Sequence, residues 1–142
     1  MYNLFKKKDK ETDNIHLKTA CLLIHAAKMD ENYTNKEVEI IKKTLKNFGV
    51  KEKDLSDLIK NAEEIEKKSN QILDFTKEIK KTDEKFKVKL VETLWEIIYS
   101  DKSLDMYESS LMRRLSGLLY LDNKIVGDIK EKVIKKNNDI SS

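Results

Sequence analysis

Two short stretches hold most of the residues whose types and spacing could do chemistry. AAKMDENYTNKE (residues 26–37) contains Asp30, Thr34 and Glu37, and YSDKSLDMYE (residues 99–108) contains Asp101, Asp105 and Glu108. Carboxylate oxygens gathered in this way are ligands for a hard divalent cation such as calcium, magnesium or manganese. The spacing is not that of an EF-hand loop, which sets its acidic ligands closer together around a central Gly. A structural explanation competes with the chemical one. Thr34 followed three residues later by Glu37 fits a capping box, in which both side chains take up free backbone N–H groups, and Asp105 with Glu108 repeats the pattern with an Asp cap. Asp30 and Asp101 are left over. Each follows the C-terminal end of a predicted helix, where a carboxylate meets the negative end of the helix dipole. An Asx-turn is one local reason for such a residue. A cation shared by Asp101, Asp105 and Glu108 is another, and it converts repulsion into attraction.

Other reactive side chains are few. Cys21 is the only cysteine, so no intramolecular disulfide can form, and its setting in TACLLIHAA gives it a small apolar role. Cys21 and His25 stand four apart on one predicted helix, but no further His or Cys completes a zinc set. His25 is therefore read as a packing residue with its ring nitrogen satisfied locally, and His16 as lying close to a disordered start. Nucleophile elbows, phosphate loops and paired catalytic carboxylate motifs are absent, and no enzyme is predicted.

The elements that must position these residues are helices. The 142 residues include no Pro and three Gly, which argues against a sandwich or barrel and for an all-α chain. Charged residues make up 39% of the chain but leave a net charge of only +3, so lysines and carboxylates interleave as on solvated helix faces. With two arginines and no aromatic–basic interleaving, nucleic acid is not an expected partner. No apolar run approaches the length that crosses a bilayer, so the cytoplasm is the expected location. The start, MYNLFKKKDK, is read as a flexible basic tail over residues 1–12. It carries the alternative of peripheral contact with the inner face of a membrane.

Apolar spacing predicts about seven helices in a compact bundle over residues 13–136, with a disordered tail over 137–142. The first runs from Asp13 to Lys28 and is apolar on most sides, with Leu17, Ala20, Ile24 and Ala27 on one face and Leu22, Ala26 and Met29 covering much of the other. The second starts at Thr34, with Val38, Ile41, Leu45 and Phe48 inward and Gly49 as its left-handed closing residue. The third spans Lys51 to Lys68, and Ser69 or Asn70 caps a fourth that buries Ile72, Phe75, Thr76 and Ile79. Thr82 and Asp83 open the fifth, with Val88, Val91, Leu94, Trp95 and Ile98 inside. Asp105 opens the sixth and Asp122 the seventh.

A repeat runs through these helices. A shift of 71 residues lays Leu17, Ala20, Ile24 and Ala27 on Val88, Val91, Trp95 and Ile98. The same shift carries Asp30 to Asp101, Thr34 to Asp105, Glu37 to Glu108 and Phe48 to Leu119. Periodicity alone explains the apolar matches, since the shift is close to a whole number of helical turns, but not the acidic ones. Two copies of a helix–acidic turn–helix hairpin are expected, separated by the third and fourth helices.

These blocks, CLLIHAAKMDENYTNKEVEIIKKTLKNFGV, ILDFTKEI and LVETLWEIIYSDKSLDMYESSLMRRLSGLL, resemble the TerB family of tellurite-resistance-like proteins, related to the N-terminal domain of the co-chaperone DjlA. The resemblance covers about residues 15–130. It implies an all-helical domain with two equivalent hairpins, no established enzymatic activity, and a binding or scaffold role in a stress response through a protein partner. It also implies divalent-metal ligands in the turns, here Asp30 and Glu37 in the first and Asp101, Asp105 and Glu108 in the second. The family commonly has Gly directly after the first Asp of each turn, where this chain has Glu31 and Lys102. Thr34 also replaces a carboxylate, which weights the second turn over the first. A chain without Pro has no J-domain His-Pro-Asp motif, so any chaperone link runs through a partner.

Overall fold

The computed structural model describes the backbone of residues 2–29, 33–69, 71–99 and 106–141, and their side chains apart from those of residues 2–13, 106–109 and 137–141. The described residues form seven helices: α1 (Tyr2–Lys28), α2 (Asn35–Asn47), α3 (Glu52–Lys68), α4 (Leu73–Ile79), α5 (Glu84–Ile98), α6 (Met106–Leu118) and α7 (Asn123–Ser141). The all-α class is as expected. Helix α1 begins at Tyr2 rather than at Asp13, and α7 runs on past Lys136 to Ser141. Both extensions are rich in Lys, Asp, Glu and Asn and free of Gly and Pro, so nothing in them breaks a helix already under way.

Helix α1 is central because it is apolar nearly all round. Residues Ala20 to Ile24, together with Ala26 and Ala27, are almost wholly buried, and α2, α3, α4 and α5 all pack against it. Met29, expected to cover the far side of this helix, is instead exposed. Helix α5 is the second axis, packing on α1, α2 and α7 through Leu90, Leu94 and Ile98. Two satellite helices present the usual single stripe: Ile41 and Leu45 on α2, and Leu55, Ile59 and Ala62 on α3. Trp95 joins α5 to α7, its indole N–H donating to the Val126 carbonyl at 3.2 Å.

Helix ends follow their local chemistry. Asp83 caps α5, its side chain accepting from the Phe86 N–H at 2.9 Å. Asp122 does the same for α7, accepting from the Lys124 N–H at 3.0 Å. Ser69 closes α3 instead of opening α4. The end of α2 is a Schellman motif: Gly49, at φ 105, donates to the Lys46 carbonyl, and Val50 to that of Leu45, both at 3.0 Å. The end of α6 repeats it with Tyr120 in the Gly49 position, at φ 58. There Leu121 donates to the Ser116 carbonyl at 2.8 Å and Tyr120 to that of Gly117 at 3.2 Å.

The 71-residue shift is therefore a property of the backbone. It carries both ends of α2 onto those of α6, and the start of α3 at Glu52 onto the start of α7 at Asn123. This enlarges the expected repeat. Helix α3 belongs to the first copy as α7 does to the second, and α4 alone is the connector. Leu55, Leu58 and Ala62 correspond to Val126, Ile129 and Val133, a match obscured in the sequence because none of the three pairs is identical.

Candidate functional site

The two acidic turns join α1 to α2 and α5 to α6. Asp30, Asp101 and Asp105 lie outside the described residues. Glu108 stands in the first turn of α6, at the backbone position that Glu37 holds in α2, and its side chain is likewise outside the described set. Glu37 is the one candidate ligand whose surroundings are defined. It is buried, and its carboxylate accepts from the Thr34 backbone N–H at 3.0 Å and from the Thr34 hydroxyl. The reach of Glu37 back to the N-cap is the acidic half of a capping box, as the spacing implied. Among the described residues no group of three or more His, Cys, Asp or Glu stands together as a metal cluster.

Beside the first turn the fold assembles a polar cluster that sequence reasoning missed. Glu66, near the C-terminal end of α3, is 8% exposed. Its Oε2 accepts from the Lys28 ammonium at 2.7 Å, and its Oε1 from His25 Nδ1 at 3.2 Å. Tyr33, just past the turn, donates its hydroxyl to Glu63 Oε1 at 3.0 Å, and Lys28 Nζ lies 5.8 Å from the centre of the Tyr33 ring. Burial, then the hydrogen bond to Glu63 and its charge, push the Tyr33 phenol well above its ordinary range. A carboxylate this far inside and close to the negative end of α3 is stable only because two donors meet it. The signal was present: Glu66 falls on the inward row of α3 after Leu55, Ile59 and Ala62.

His25 is thus satisfied from another helix rather than locally, with its ring also tilted against Phe75 at 6.1 Å. Cys21 is fully buried, its Sγ 3.6 Å from the Ala62 carbonyl oxygen, and burial above all pushes the thiol up to about 11. That is the small core residue its context implied. His16 corrects an expectation. It is no part of a loose start but sits buried on α1, with Nε2 donating to the Phe48 carbonyl at the end of α2 at 3.1 Å. Its counterpart in the second copy is Lys87, also buried, beside Tyr120 at the end of α6. His16 thus places a donor against the negative end of α2, whereas Lys87 lies 6.0 Å from the centre of the Tyr120 ring.

The two turns differ in electrostatics. The first has Lys28 and His25 on the last turns of the helix that leads into it. The shift by 71 residues replaces them with Tyr99, just past the end of α5, and Glu96 on its last turn, both half-buried. A cation approaching the first turn meets an ammonium already engaged with Glu66. In the sequence, the second turn follows a carboxylate and a phenol where the first follows an imidazole and an ammonium, and it contains Lys102.

Residues 16–131 match the family model described as tellurite resistance protein TerB. No curated protein and no solved structure matches the chain. The family match spans most of the chain and both copies of the repeat, and the chain belongs to the TerB family.

Proposed function

From this membership we propose that the chain is a non-catalytic helical module that binds a protein partner in a stress response and takes up a divalent cation at its second acidic turn. The observation that carries the cation clause is the coincidence of the two copies. The same shift that aligns the helix bounds also aligns Asp30 with Asp101 and Glu37 with Glu108. Capping accounts for Glu37, but not for an Asp at the negative end of a helix in both copies. Preference for the second turn follows from the charges beside it: Glu96 and Tyr99 stand where the first copy has His25 and Lys28.

The non-catalytic clause is supported by the state of the two residues that looked most reactive. The Cys21 thiol is buried and pushed up, and His25 is turned onto Glu66. The location proposed with this reading is the cytoplasm, and no helix among the described residues is long and apolar enough to cross a membrane. The partner clause is tested by affinity capture from the native host with and without a divalent chelator. A specific protein retained only without chelator supports a cation-dependent partner; the same proteins retained in both conditions contradict it. Thermal denaturation with calcium, magnesium or manganese tests the cation clause itself. The protein is expected to melt higher with one of these ions, and Asp101→Asn is expected to remove the shift.

A further inference from the structure

We draw no further inference here: the strongest candidate, the open apolar depression between the end of α2 and the start of α5 around the stacked Phe48 and Phe86 rings, carries nothing, because its lining holds charges of both signs and nothing in the structure shows what covers it.

Discussion

Glu66 carries a carboxylate that is buried, and both of its donors come from α1. Glu66→Ala leaves Lys28 and His25 facing an empty, largely dry position. The expected loss is about 2–3 kcal/mol in a urea titration, below the cost of breaking a fully buried pair because both donors are partly exposed. Glu66→Gln keeps an acceptor and should lose less. Thr19 is the opposite case: its hydroxyl is buried and has no hydrogen-bond partner among the described residues. Thr19→Val removes an unsatisfied group at constant shape and should stabilise by about 1 kcal/mol in the same titration. The Cys21 thiol and the Tyr33 phenol are both raised by burial, so the folded state keeps protons that the unfolded chain gives up. Their contribution to stability is whole below pH 9, falls as the pH rises from the ordinary thiol value of 9.0 towards about 11, and continues to fall above the ordinary phenol value of 10.0. Denaturation midpoints taken between pH 8 and 11 should therefore decline, and Cys21→Ala should flatten the earlier part of the decline. At this scale the sequence was read well where a residue acts on its neighbours, as Thr34, Asp83 and Asp122 do. It was read poorly where the partner lies a helix away, because periodicity places Glu66 on an inner face without saying that His25 and Lys28 will meet it.

Helix ends carry more of this fold than the number of glycines suggests. Gly49 closes α2 in a left-handed conformation that a Cβ makes costly, and Gly49→Ala should destabilise by at least about 1 kcal/mol. Tyr120, 72% exposed, occupies the equivalent position after α6, and Lys80 and Lys87 lie 5.7 and 6.0 Å from the centre of its ring. Tyr120→Gly relieves the backbone and gives up these cation–π contacts, each about 0.5–1 kcal/mol at an exposed site. Against a left-handed cost of about 1–2 kcal/mol, its net effect should be small or stabilising, in contrast to Gly49→Ala. Comparing the two variants by thermal denaturation checks this sign difference. Gly49 was legible in the sequence because glycine announces a left-handed cap. Tyr120 was not, since a tyrosine carries no such signal and only the 71-residue shift points to it. Helix α1 shows the converse: lysine and acidic residues without Gly or Pro are equally compatible with a solvated tail and with the helix that starts at Tyr2.

The whole molecule is a duplicated three-helix unit joined by α4, with α1 and α5 packed against each other at its centre. Apolar and capping residues made this architecture readable, since they recur in both copies under one shift. The size of the unit was not readable, because α3 and α7 match by residue class and not by identity. Function in such a molecule is expected to lie where the copies diverge. Lys28 and His25 give way to Tyr99 and Glu96 at the turns. The central claim is that the second acidic turn holds a divalent cation and the first does not. Calorimetric titration of the purified protein with calcium, magnesium and manganese tests it most directly. The account predicts one site per chain for one of these ions, lost in Asp101→Asn and in Asp105→Asn and kept in Asp30→Asn. No heat with any of the three ions, or a site that survives both second-turn substitutions, would contradict it.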